Sequence, residues 1–255
     1  MPERLQNDPD RYALANELHA RPFPSLQAPC TAVHLAIRPP EGARRDRAVD
    51  RAHLIDLIDR FGAPHPTPDA AFYMGELGRF SVKWESHTEF VAYTLFVSGA
   101  ESPPFAADAL GHFPDEWLRS VKGDIVAAAH VHVSAAASRE AAEAFYVGDL
   151  QGCFVSESLA TAYAADHNAL VGSDFRLHED GLARIGVIAL DGIGPRRLGR
   201  IVQQVLEIES YKAFALRALP VARATAERVT ALEDRLAGLS RGRAAEGAEE
   251  ARATL

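Results

Sequence analysis

One six-residue pattern occurs twice in this chain: Phe72-Tyr73-Met74-Gly75-Glu76-Leu77 and Phe145-Tyr146-Val147-Gly148-Asp149-Leu150. Another glycine, Gly78 or Gly152, follows each copy within two residues, and an apolar run comes next. A strand-like run and a helix-like run precede each copy, so a whole supersecondary unit reads as duplicated. Two copies are too few for a solenoid, which leaves a sheet assembled from two related halves.

The periodicity around the repeats supplies the elements. An N-terminal helix is expected to start at Asp8-Pro9, where Asp8 can cap free N–H groups and Pro9 has none to lose. It carries Leu14 and Leu18 and stops before Pro22, because the residue before a proline avoids the α region. Residues 31–37 alternate and are rich in β-branched side chains, which predicts a strand. Residues 43–61 place Val49, Leu54, Leu57, Ile58 and Phe61 near i, i+3/i+4 spacing and end at Gly62, which predicts a helix. Strands follow at 72–77, 79–86 and 89–97, the last two close enough to form a hairpin.

The second half replays this order. It gives a strand at 124–133, a short helix at 139–144, the repeated strand region at 145–155 and a further strand at 159–163. A hairpin of 174–178 and 182–190 turns at Glu179-Asp180-Gly181. The expected fold is therefore α+β over residues 1–194: two β-α-β-β-like units in one mostly antiparallel sheet, with helices on one face. Beyond it, Leu198, Ile201, Val205 and Ile208, then Val229, Leu232, Leu236 and Leu239, step by threes and fours around Pro220. That predicts a long amphipathic helix or short coiled coil over 195–240, kinked near the proline. Residues 241–255, rich in Ala, Glu and Arg and broken by glycine, predict a disordered tail.

Composition removes several classes of function. A net charge of −8 argues against a nucleic-acid partner, whose binding surface is basic. No stretch reaches the 18 or so apolar residues of a membrane span, and the polar N-terminus lacks the apolar core of a signal peptide. Cys30 and Cys153 stand far apart with no C-x-x-C, so neither a disulfide framework nor a zinc site is indicated, and a reducing cytoplasm is the expected compartment. No G-x-S-x-G elbow, P-loop, H-E-x-x-H or kinase set is present, and no cofactor is implied.

Four patterns invite a chemical reading. Gly192-Ile193-Gly194-Pro195-Arg196-Arg197-Leu198-Gly199 looks like a dinucleotide loop, but Arg197 stands where the third glycine belongs and Pro195 removes a donor. An ordinary strand-to-helix turn is favoured there. His130 and His132 share one face of a strand and could both ligate a metal, without an obvious third ligand. Packed core histidines are the favoured reading. His87, between Glu85 and Glu89, could serve as a general base or ligand, but a solvated hairpin tip is favoured.

The fourth pattern spans three polar groups: His19 and Arg21 at a helix end, Lys83 and Glu85 in the first hairpin, and Arg176 and His178 in the second. By offset Lys83 matches Arg176 and Glu85 matches His178, so pseudo-symmetry could gather all of them, with His87, into one polar pocket. Against this stand simple cross-strand ion pairs on a wet sheet face, each worth a few tenths up to about 1 kcal/mol.

In Asn16-Glu17-Leu18-His19-Ala20-Arg21-Pro22, Lys83-Trp84-Glu85-Ser86-His87-Thr88-Glu89-Phe90, Ser173-Asp174-Phe175-Arg176 and Leu206-Glu207-Ile208-Glu209-Ser210-Tyr211 the chain resembles the bacterial membrane-anchored proteins grouped as domain of unknown function 3422. The resemblance covers roughly residues 10–240 and implies no activity, substrate or cofactor. It implies an α+β body, long helices and a C-terminal membrane hairpin, held at the inner membrane with the body facing the cytoplasm. This chain reaches Leu255 in a polar segment without such an anchor, so a membrane partner is expected only for a longer form.

The leading functional expectation is a non-catalytic sensor or interaction domain that reports through the helices after Pro195 and forms a homo-oligomer through them. The alternative is an enzyme or small-anion binder that uses the polar pocket between the hairpins.

Overall fold

The computed structural model describes residues 8, 9, 11, 22–99, 103–106 and 108–253, with side chains described to residue 237. Its strands are β1 (Cys30–Arg38), β2 (Phe72–Leu77), β3 (Phe80–Ser86), β4 (Val91–Ser98), β5 (Asp124–Ala136), β6 (Ala160–Ala164), β7 (Ala169–Leu177) and β8 (Ala183–Leu190). The helices of the first half and crossover are α1 (Arg47–Asp59), α2 (Asp115–Arg119) and α3 (Arg139–Phe145), and the long C-terminal ones are α4 (Pro195–Leu216) and α5 (Ala218–Ala253). The strands form one eight-stranded sheet in the order β2-β3-β4-β1-β5-β8-β7-β6. Every neighbouring pair is antiparallel except β5 and β8. The α+β class and the mostly antiparallel sheet are as the periodicity predicts.

The parallel β5–β8 pair explains what became of the repeat. Hairpins can join antiparallel strands, but a parallel partner requires a crossover of a dozen or more residues. The chain leaves β5 and must cross the sheet before it can enter β6. The second Phe-Tyr-x-Gly-acid-Leu lies in that crossover. Ser138 caps α3 by accepting from the Ala141 N–H at 3.2 Å, and the helix runs on through a wider turn at Tyr146–Leu150. The first copy is strand β2, whereas the expected strand at 145–155 is helical as far as Cys153. β7 also begins at Ala169, five residues before the expected start at 174.

Helices cover both faces of the sheet, not one. On one face Leu54, Leu57 and Ile58 of α1, with Phe113 and Trp117, pack on Val33, Leu35, Trp84, Tyr93 and Leu95. The crossover packs on the same face of the second half, where Tyr146, Leu150 and Phe154 meet Leu170 and Ile188. Gly172 and Gly186 make this possible. A Cβ on Gly186 would stand 2.4 Å from Leu150 Cδ2, and one on Gly172 would stand 2.9 Å from the Tyr146 ring.

The opposite face belongs to α4, whose Leu198, Ile201, Val202 and Leu206 bury on Val131, Val133, Ile185 and Val187. Gly199 lets the 22–29 segment cross the helix, since a Cβ there would lie on the Pro24 carbonyl. The glycine-rich loop before α4 is a strand-to-helix turn that places Pro195 at the first helical position, where no N–H is needed.

The chain divides into two units, Met1–Ser210 and Tyr211–Leu255. The boundary falls sixteen residues beyond the expected one at 194, because α4 as far as Ser210 buries against the sheet. In the second unit the helix breaks at Arg217, where Pro220 removes the N–H that would reach the Leu216 carbonyl. α5 then continues to Ala253, through most of the segment expected to be disordered. Among the described residues no helix is long and apolar enough to cross a membrane.

Candidate functional site

The densest buried polar arrangement lies where α4 crosses the first half of the sheet. β3 alternates: Val82 and Trp84 enter the core under α1, so Lys83 and Glu85 face α4. Strand register sets Lys83 opposite Thr94 on β4, and Thr94 opposite His34 on β1, which gives a polar row across three strands. The neighbouring row is Glu85, Ala92 and Ala36, where the alanines leave room for the carboxylate.

Lys83 Nζ lies 2.8 Å from Glu85 Oε1, with the two side chains only 2% and 8% exposed. The contact is ionic in distance but off-line for a hydrogen bond, and the Lys83 ammonium instead donates to Gln203 Oε1 at 2.8 Å. Gln203 Nε2 donates onward to Glu207 Oε1 at 2.7 Å. One helical turn further on, Ser210 Oγ lies 2.9 Å from His34 Nε2, and His34 Nδ1 lies 2.8 Å from Thr94 Oγ1. Burial, reinforced by the Lys83 charge, pushes the His34 pKa down to about 3, so the ring is neutral near pH 7. Hydroxyls can donate or accept, so Thr94 and Ser210 suit either tautomer.

A buried ion pair is poor evidence for added stability, because desolvation offsets most of its attraction. What this one supplies is position: Gln203, Glu207 and Ser210 lie at i, i+4 and i+7 on α4, and each partner accepts one seating of the helix. His34, Lys83, Glu85, Thr94 and Ser210 are buried, Gln203 and Glu207 are half-buried at the helix edge, and the histidine has both nitrogens engaged.

The residues singled out in the sequence separate as follows. His19 and Arg21 lie outside the described residues. Lys83 and Glu85 join the α4 network, buried instead of lying on a wet face. His87 is buried as well, stacked on Phe90 at 3.9 Å in the β3–β4 turn, which corrects the expected solvated tip. Arg176 and His178 belong to the far half, with β4, β1, β5 and β8 between them and Lys83.

At that far end Asp174 does the organising. Burial alone would raise its pKa, but the Val155 N–H at 2.8 Å, the Arg176 N–H at 3.1 Å and His178 Nε2 at 3.0 Å hold it below the usual carboxylate range. Arg176 donates from Nε to Ser158 Oγ at 2.8 Å. These bonds fix a bulge in β7 at which Phe175 adopts φ +57°. The two polar groups thus hold separate structures in place.

His130 and His132 do share a face of β5, as alternation requires. The Phe105 ring stands over both, 5.0 Å and 5.8 Å from their centroids. Burial lowers both pKa values, that of His130 to about 4. Among the described residues no three His, Cys, Asp or Glu side chains converge as a metal site would require. Cys30 and Cys153 are free, and burial pushes the Cys30 thiol up to about 12, far from thiolate chemistry.

His34, Thr94, Gln203, Glu207 and Ser210 were not visible as site residues in the sequence. The available signals were a lone histidine inside the apolar run Thr31-Ala32-Val33-His34-Leu35-Ala36-Ile37 and the glutamate-serine step Glu209-Ser210.

The fold is an α+β body: one eight-stranded, mostly antiparallel sheet with a largely buried polar network beneath one long helix. The chain belongs to the family described as protein of unknown function DUF3422, whose profile matches residues 6–255. No curated protein and no solved structure matches it.

Proposed function

We propose that the chain is a non-catalytic interaction module whose C-terminal helix associates with a second copy of itself. The observation that carries this reading is the apolar series on α5. Val229, Leu232 and Leu236 are 47%, 60% and 66% exposed, although they repeat at the 3–4 spacing of a helix-pairing seam. The corresponding series on α4 is different. Leu198 and Ile201 are consumed by the chain's own sheet, and only Ile208 is left exposed.

The chemistry of the seam selects a parallel pair. With Val229 at an a position and Leu232 at the following d, the β-branched and Leu choices favour two strands. Arg228 then falls at g and Glu233 at e, positions that face each other across a parallel pair and carry opposite charges. In an antiparallel pair Arg228 would instead face a g position, where Arg235 stands.

The test is the mass in solution by sedimentation equilibrium. A concentration-dependent dimer that becomes monomeric on Leu232→Asp supports the reading, and a monomer at every concentration removes it. Attachment to a bacterial inner membrane, with the body on the cytoplasmic side, rests on the family resemblance and is tested by fractionating cells that express the protein and by protease protection of its body.

A further inference from the structure

On the face of the sheet opposite α4, a cleft of about 430 Å³ opens between α1 and the Ser120-Val121-Lys122 segment after α2. That volume is within the range of sites for small molecules. Ile37, Ala52, Val91 and Val121 contribute its apolar lining, and Val49 stands half-exposed with them. Ile37 and Val91 are paired at the ends of β1 and β4, so the floor is rigid sheet.

The polar groups of the cleft have partners with one exception. The His53 ring stacks on Trp117 at 4.3 Å, lies 2.9 Å through Nδ1 from the Tyr93 hydroxyl and faces the Trp117 carbonyl at 3.4 Å through Nε2. A carbonyl can only accept, so Nε2 carries the proton and Nδ1 accepts from Tyr93. Asp50 is bound by Arg45 at 2.7 Å. Arg60 is shared between Asp56 at 3.2 Å and Glu116 at 3.3 Å. The Ser120 hydroxyl donates to the Trp117 carbonyl at 2.8 Å. Lys122, by contrast, has no ion pair or hydrogen bond among the described residues. Arg45 answers Asp50, and Arg60 is shared by Asp56 and Glu116, so the cleft carries no net positive charge once Lys122 is counted; Lys122 is the rim charge that no described side chain engages beside the apolar lining.

We infer that this cleft binds a small organic carboxylate, its apolar body against Ile37, Val91 and Val121 and its carboxylate on the Lys122 ammonium. The reading is independent of the self-association of α5, because Lys122 and α1 both belong to the first unit.

Isothermal titration with 4-phenylbutyrate, 4-phenylbutanol and 4-phenylbutylamine separates the contributions, since the three share one apolar body. The carboxylate should bind one per chain with a Kd below about 1 mM, and the alcohol and amine at least about tenfold more weakly. Lys122→Ala should bring the carboxylate to the level of the alcohol, and Lys122→Arg should restore the preference. Val49→Trp, at a half-exposed position, should block all three probes while leaving the thermal melting curve in place. Equal binding of amine and carboxylate, an unchanged preference in Lys122→Ala, undiminished binding in Val49→Trp, or no carboxylate binding at about 10 mM would each overturn the inference.

Discussion

Lys83 Nζ on β3 donates to Gln203 Oε1 on α4 at 2.8 Å, across a sequence separation of 120 residues. With Glu85 beside it, the ammonium is neutralised where water cannot reach. Removing either charge leaves the other buried and uncompensated, at a cost of about 3–5 kcal/mol. Lys83→Met and Glu85→Leu should therefore each lower the urea midpoint strongly. The double substitution should recover most of the loss, because two apolar side chains of similar volume need no partner. Additive losses in the double variant would show that the pair does not act as a unit.

His34 makes a prediction in pH. Its folded pKa of about 3 lies below the ordinary 6.5, so between these values the unfolded chain binds a proton that the folded one does not. Stability is therefore fully present above about pH 6.5 and is lost as the pH falls toward 3. From pH 6.5 to 5 one such histidine contributes a loss of about 2 kcal/mol. His130, His132 and His53 are shifted in the same direction and add to the slope. Urea midpoints at pH 7 and pH 5 should show His34→Gln less acid-sensitive than the wild-type chain by about one histidine's share. An unchanged slope would mean that the ring is protonated in the folded state.

The elements were legible in the sequence because each follows from local alternation or helical spacing. The 31–37 run became β1, and the 43–61 periodicity became α1. Direction was not legible. Nothing local distinguishes a strand that will pair in parallel from one that will not, and the β5–β8 pairing is what turned the second repeat into a helical crossover. The site was half-legible for a related reason. Lys83 and Glu85 stand out as polar residues in a strand, but their partners Gln203 and Glu207 look like any exposed helix residues until tertiary packing brings them over β3. Offset matching of the hairpins paired Lys83 with Arg176, whereas the sheet order places four strands between them.

Glycine substitutions should rank by what the new methyl group meets. At Gly199 a Cβ would strike the Pro24 backbone carbonyl, which cannot rotate away. At Gly186 it would meet the flexible end of Leu150 at 2.4 Å, and at Gly148 nothing lies within 4 Å. Gly199→Ala should destabilise by more than about 3 kcal/mol and Gly186→Ala by about 1–3, the usual cost of overpacking. Gly148→Ala should be neutral or slightly stabilising, because alanine loses less backbone entropy in a helical segment. Thermal melting of the three variants checks the order, and an equal loss at Gly148 would contradict it.

The orientation of the proposed α5 pair can be tested through charge alone. In a parallel dimer Arg228 of one copy faces Glu233 of the partner copy, and symmetry makes the contact twice. Glu233→Arg then sets like charges against each other at both places, so dimerisation should weaken by about three- to thirtyfold, since an exposed pair is worth up to about 1 kcal/mol. Adding Arg228→Glu reverses both signs and should restore the wild-type dissociation constant. An antiparallel pair sets g positions against g and e positions against e, so there the two substitutions act separately. In the antiparallel register that sets Arg228 against Arg235, Glu233 faces the uncharged e position Ala226, so Arg228→Glu would turn a repulsive contact attractive and Glu233→Arg would change little. Sedimentation equilibrium in low salt reads the difference, because screening at high ionic strength removes surface charge effects of this size. Loss of dimer in the single variant and recovery in the double one fixes the helices parallel. A single variant that dimerises as well as the wild-type chain excludes that register.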